Sequence, residues 1–436
     1  MKLRPFQIIL LAVFVLLAFA SLIILSTFKS KQSAAELVYG NSVTIWGTED
    51  KAVIDRLFLN IMQEDKAFSV VKYRKVDAAS FDDELLNAIA EDRSPDMIIL
   101  PSDKLVSYRS KLVPIPYTTL PIRTFRDTYV DGAEIFTFHD GVYAVPYGVD
   151  PLLMYWNRDI FASNGLAQAP STWEDVVANV VPRTTLRNAN RDVMQSGIAF
   201  GEYRNVFRAA DIIMLLAIQS GSSGVTENER GGYTLGLNNS VVSVAARPPL
   251  EAAIEFYTNF SNANSAIYSW NRSLPVDIEA FTAGDLAMYF GRGSEAAGID
   301  TKNPNLNFDM AMVPQGGSAT TQRVFGTFYG FAILRASKNA SGAYAAALRI
   351  TSAKFANELT TALNIAPVRR DLVVAGSSDP YRFVMLQSAL IARGWLDPKP
   401  EASRGIFQQM VEDVVSNRSR IGKAVSDAIS RLVLEY

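Results

Sequence analysis

Cysteine is absent from all 436 residues. This excludes disulfides, thiolate metal sites, a cysteine nucleophile and a lipid-modified N-terminal cysteine. The compartment stays open, because many exported proteins carry no disulfide. Histidine occurs once, at His139, beside Asp140. With no Gly-x-Ser-x-Gly elbow or neighbouring nucleophile motif, it reads as a surface-turn residue and not as a catalytic base. Metal sites are poorly supported without cysteine or a second histidine, no EF-hand spacing is present, and no cofactor is expected. The loops Gly221-Ser222-Ser223-Gly224 and Arg292-Gly293 lack the Lys-Ser/Thr of a phosphate loop. Excess charge is missing too: a net charge of -2 gives no reason to expect nucleic acid as a partner. Nothing marks out a glycosidase pair among the 44 acidic residues, and no other feature indicates turnover.

What is present is an ordinary globular balance, 49% hydrophobic and 20% charged, with an apolar segment at one end. The length allows two or three domains and a large core. Lys2 and Arg4 precede an apolar run from Ile8 to Phe28, closed by Lys29 and Lys31. At about 1.5 Å per residue, roughly 21 residues cross a hydrocarbon core of about 30 Å. Residues 1–29 are therefore expected to form an uncleaved transmembrane anchor, with 30–41 as a polar linker. A cleaved signal peptide ending near Ala18-Phe19-Ala20 is the alternative, but the run continues through Leu22-Ile23-Ile24-Leu25. The bulk of the chain is exported under either reading.

Beyond the linker, Val43 to Gly47, Val70 to Val76 and Asp96 to Pro101 read as strands. Helical spacing occupies Lys51 to Asp65 and the stretch opened by Ser80. This alternation indicates an α/β sheet covered by helices. Helices then dominate: Ala209 to Gln219, apolar on nearly every side, is expected to be buried. Pro249 to Phe260 and Ile278 to Phe290 follow, the latter interrupted at Gly284. Strand patterns return at Asn307 to Pro314 and Gly326 to Leu334, before two further helices and an amphipathic helical tail. A chain that revisits its first pattern points to two lobes joined by several crossovers.

The most informative stretch is GVYAVPYGVDPLLMYWNRDIFASNGLAQAPSTWEDV, Gly141 to Val176. It reads as a strand entering a Pro-Tyr-Gly turn, an apolar run, a short helix stopped by Gly165, and a helix capped by Thr172. Asp175, three residues on, would complete a capping box. This stretch, AFTAGDLAMYFGRG (Ala280 to Gly293), DMAMVPQG (Asp309 to Gly316), GFAILRASKNASGAYAAALRITSAKF and APVRRDL occur in the order of one family. Together they resemble the extracellular solute-binding proteins of ABC importers, in the branch related to maltose-binding protein, from Val43 to Tyr436.

The resemblance implies a two-lobed periplasmic-binding-protein-like α/β fold of type II, each lobe a mixed sheet flanked by helices, behind the N-terminal transmembrane helix. It places an N-lobe at 42–149 and 312–353 and a C-lobe at 150–311 and 354–436. It implies hinge closure over a small ligand, a carbohydrate, and delivery to ABC permease subunits by a monomer. Carried over residue by residue, the cleft contacts would be Trp46, Glu49, Ser102, Asp103, Asp150, Tyr155 and Glu202, with loop tryptophans Trp270 and Trp395. Trp156 is expected to pack. Where sugar-binding relatives place an aromatic, this chain has Gly291-Arg292-Gly293-Ser294. Arg292 therefore admits an acidic or phosphorylated ligand, unless stacking passes to Trp270 or Trp395. A sensory or adhesion ectodomain on the same fold, or an anchored hydrolase, is the alternative function.

Overall fold

A computed structural model describes residues 38–40, 42–228, 230–240 and 247–436. The expected anchor at 1–29 and most of the linker lie outside the described residues. Among those described, no helix is long and apolar enough to cross a membrane.

The chain divides into two compact units. The first runs to Ile98 and includes Ile333–Ile350. Its strands lie parallel, in the order Val71–Lys75, Val43–Gly47, Met97–Pro101, with Ile45 facing Tyr73 on one side and Met97 on the other. Parallel neighbours require crossovers, supplied by helices Lys51–Glu64 and Phe81–Ala90. The first of these buries Ile54, Leu57, Phe58 and Ile61, the stripe its spacing dictates. Asp50 starts it by accepting the Ala52 N–H. Helix Ala340–Ile350 completes the unit with small buried residues at Ala343, Ala346 and Ala347. Just before it, Asn339 Nδ2 donates to the Tyr39 and Ser42 carbonyls.

The second unit holds Ile99–Ala332 and Thr351–Tyr436. Its centre is one strand, Val145–Asn157, in which all 13 residues are buried. The expected Pro-Tyr-Gly turn is absent, because the strand runs straight through it. Pro146 cannot donate to a ladder, and the register slips beside its partner Gly330, so a bulge absorbs the proline without ending the strand. Val324–Ile333 pairs antiparallel with the first half of this strand. Leu286–Arg292 and Phe308–Ala311 flank the second half, with Tyr289 and Met310 on either side of Tyr155. Cover on both faces explains the nearly continuous apolar sequence.

The segment expected as one interrupted helix from Ile278 to Phe290 is a helix, Asp277–Ala283, followed by a strand, Leu286–Arg292. Gly284, in the left-handed region at φ +89°, ends the helix and turns the chain. Helix Ala209–Gln219 is buried as expected. The segment that begins at the loop Gly221-Ser222-Ser223-Gly224 is a hairpin, Ser222–Glu227 with Tyr233–Ser240. The tail is two helices, Pro400–Val415 and Ile421–Val433.

Candidate functional site

Within the second unit, a cavity of about 590 Å³ opens between four segments. Asp103 follows the strand Met97–Pro101, and Tyr203 to Met214 lead into the helix Ala209–Gln219. Arg292 ends its strand, and Trp395 to Gln408 lead into and along the helix Pro400–Val415. The floor includes Phe325 and Thr327 from the strand Val324–Ile333.

Four arginines border this space, and three are neutralised. Arg292 Nε donates to Asp211 Oδ2 at 2.9 Å. Burial works against its charge, but Asp211, Tyr329 and Asp150 more than offset that and raise it above the ordinary arginine value. Arg208 pairs with Glu295 at 2.5 Å and Arg204 with Glu412 at 2.7 Å. Arg404 is exposed and has no carboxylate partner among the described residues.

The acids differ in the same way. Asp397 accepts the Ser403 hydroxyl at 2.6 Å and the Lys399 N–H at 3.0 Å. Burial raises its carboxyl to about 7 against those hydrogen bonds. Asp103 has one buried carboxyl oxygen, Oδ1, with no hydrogen-bond partner. Burial pushes this group upward too, with Arg292 opposing. An unpaired buried acceptor is costly, and a donor from a ligand would relieve that cost. Aromatic side chains adjoin these acids: Trp395, buried, packs edge-on against Phe407 at 5.5 Å, and Phe207 is 57% exposed. Carboxyl acceptors beside aromatic faces suit a ring bearing many hydroxyls.

Comparison with protein families matches residues 64–380, well over half of the chain, to the bacterial extracellular solute-binding proteins. The chain belongs to that family. No curated protein matches significantly, but solved structures do. One is a cyclo/maltodextrin-binding protein complexed with maltotetraose, 15% identical, with TM-score 0.72 over 90% of this chain and 96% of that one. Another is the GacH receptor of Streptomyces glaucescens, studied unliganded and with acarbose, at 17% identity and TM-score 0.65, covering 91% and 99%. A solute-binding protein from Thermotoga lettingae bound with α-D-tagatose has 16% identity and TM-score 0.64, covering 91% and 99%. At such identities the likeness shows the fold, the α/β fold of the two-lobed solute-binding proteins.

Of the residues nominated from sequence, this solute-binding protein brings Asp103, Arg292 and Trp395 to the cavity wall. Asp150 is buried and does not line it. Ser294 donates its N–H to Asp150 Oδ1 at 3.1 Å and its hydroxyl to Oδ2 at 2.6 Å. The residue standing where an aromatic was expected is therefore the partner of Asp150. Tyr155 is fully buried and donates its hydroxyl to the Arg292 carbonyl at 2.6 Å. Ser102 is buried and its hydroxyl accepts the Phe328 N–H at 3.1 Å. Glu202, also buried, accepts from Arg272 Nε at 3.3 Å. Trp270 is only 1% exposed. In the first unit, Trp46 is buried with the Arg74 guanidinium 4.3 Å over its ring, and the Glu49 carbonyl accepts from the Tyr73 hydroxyl at 2.9 Å. Sequence reasoning missed Phe207, Asp211, Asp397 and Arg404. Only Asp397 carried a signal, a carboxylate two residues after the nominated Trp395. His139 is exposed, as expected, and its Nδ1 lies 2.8 Å from Glu227.

Proposed function

We propose that this solute-binding protein captures a carbohydrate in the cavity of about 590 Å³ and delivers it to an ABC importer. In the same reading, residues 1–29 hold it at the extracytoplasmic face of the cell membrane as an uncleaved anchor. The lobes are those expected from the sequence, 42–149 with 312–353 and 150–311 with 354–436, and they close over the ligand. The observation that carries the reading is the buried, unpartnered Oδ1 of Asp103 beside Asp397 and Trp395. That arrangement accepts hydroxyl donors while an aromatic face covers the C–H side of a sugar ring. The three liganded relatives described above are bound to sugars or a sugar mimic, which supports the choice of ligand class.

A thermal-shift screen of mono- and oligosaccharides on the purified protein tests this. A sugar at 100 times its dissociation constant adds about 2.7 kcal/mol of stability. Asp103→Asn and Trp395→Ala should each weaken binding by about tenfold or more, the scale of a lost charged hydrogen bond or aromatic contact. Full retention of the ligand-induced shift in both variants would place the sugar elsewhere.

A further inference from the structure

A second cavity, of about 510 Å³, lies in the same unit. The segment Asp131 to Thr137, the hairpin strand Ser222–Glu227 and two arginines, Arg323 and Arg393, bound it. Arg393 ends the short strand Ala392–Arg393, which runs parallel to Val324–Ile333 with Val324 opposite Ala392 and Phe325 opposite Arg393, and Arg323 immediately precedes the latter strand. Arg323, one residue before its strand, and Arg393 both line this cavity.

The charges of this cavity do not balance. Asp131 is the one wall carboxylate that meets Arg393, at 3.3 Å, and it is already held by Arg370 at 2.6 Å. Glu134 is committed to Arg126, and Glu227 to Arg109 and His139. Arg323 donates Nη1 to the Gln322 carbonyl and has no carboxylate partner among the described residues. Burial, with Arg323 adding repulsion, lowers Arg393 below the ordinary arginine value. Two guanidinium groups facing one space with half a counter-charge between them form a fork for an oxyanion.

We propose that Arg323 and Arg393 bind an oxyanion, a carboxylate or phosphate group, in this second cavity. The group has two possible sources, an acidic substituent on the captured sugar or a free anion. The first source rests on the carbohydrate reading. Phe325 and Trp395 of the first cavity each lie two residues further along the chain from Arg323 and Arg393, and two residues of extended chain span about 7 Å. That is within reach of a neighbouring sugar unit.

Calorimetry at fixed ionic strength, with the full chain in detergent, separates the outcomes. The probes are inorganic phosphate, maltotriose and maltotriose ending in glucuronate. The wild type should bind the glucuronate-bearing sugar at least tenfold more tightly than maltotriose, and Arg323→Gln and Arg393→Gln should each abolish the difference while leaving maltotriose binding unchanged. Arg393→Lys, which keeps the charge beside Asp131, should retain part of it. Phosphate binding that is lost in Arg323→Gln, with no preference for the acidic sugar, assigns the site to a free anion. Phosphate binding without any sugar binding keeps this site and removes the carbohydrate reading. No Arg323-dependent binding of phosphate or of the acidic sugar overturns the proposal.

Discussion

Asp277 is buried, and its Oδ1 accepts the N–H groups of Phe207 at 3.0 Å and Ile278 at 2.8 Å. Burial nevertheless raises its carboxyl to about 7, above its unfolded value of about 3.9. The folded protein then holds this proton more tightly than the unfolded chain does. The stability it contributes is complete below about pH 4 and is lost as the pH rises to 7, at no more than roughly 1.4 kcal/mol per pH unit. Asp277→Asn keeps an acceptor for both N–H groups and removes the titration. Urea midpoints at pH 4.5 and 7.5 should differ less in this variant than in the wild type. At this scale the sequence was a partial guide. Asp103, Arg292 and Trp395 were legible because each follows or ends a strand or lies in a polar loop. That the charge of Arg292 is taken up by Asp211 was not legible, since the two are 81 residues apart and no local spacing relates them. Asp150 and Ser294, 144 residues apart, were opaque for the same reason.

Elements were more legible than their partners. Thr172 caps the helix at Trp173 as the sequence predicts, its hydroxyl accepting the Asp175 N–H at 3.2 Å. The reciprocal half of the box is not formed, and Asp175 Oδ1 accepts from Asn179 at 2.6 Å instead. Thr172→Ala should therefore cost about 0.5–2 kcal/mol. Asp175→Asn should cost less, about 0.5 kcal/mol or below, as expected of an exposed contact within one helix. Denaturant titration of the two variants side by side checks the order. Gly284 was read as an interruption within one helix, because the apolar pattern of Leu286 to Phe290 fits a buried strand and a buried helix equally well. The Pro-Tyr-Gly misreading has a similar origin. Local turn chemistry was outvoted by burial on both faces, and the bulge opposite Pro146 made that possible.

At the scale of the whole molecule, the chain passes between its two units three times, after Ile98, Ala332 and Ile350. The first unit is therefore incomplete in any continuous N-terminal fragment. Residues 38–98 alone lack the helix Ala340–Ile350 and the two hydrogen bonds from Asn339. Such a fragment should melt without a cooperative transition by circular dichroism. Adding a peptide of residues 333–350 should restore some helix and strand signal. A sharp transition in the fragment alone would show that the first two strands, their crossovers and the start of the third strand at Met97–Ile98 are sufficient.

The central strand also has a consequence for how the protein is made. Its ladder partners all come later in the chain, and the earliest of them is Met288 opposite Trp156. During synthesis at about 5–20 residues per second, this stretch, wholly buried in the folded protein, waits on the order of ten seconds for any partner. A uniform β-rich segment held open that long would template aggregation. Pro146 and Pro151 each remove a backbone donor from it. They act as gatekeepers for the nascent chain, so replacing both with valine should lower soluble yield more than it lowers the stability of the folded protein.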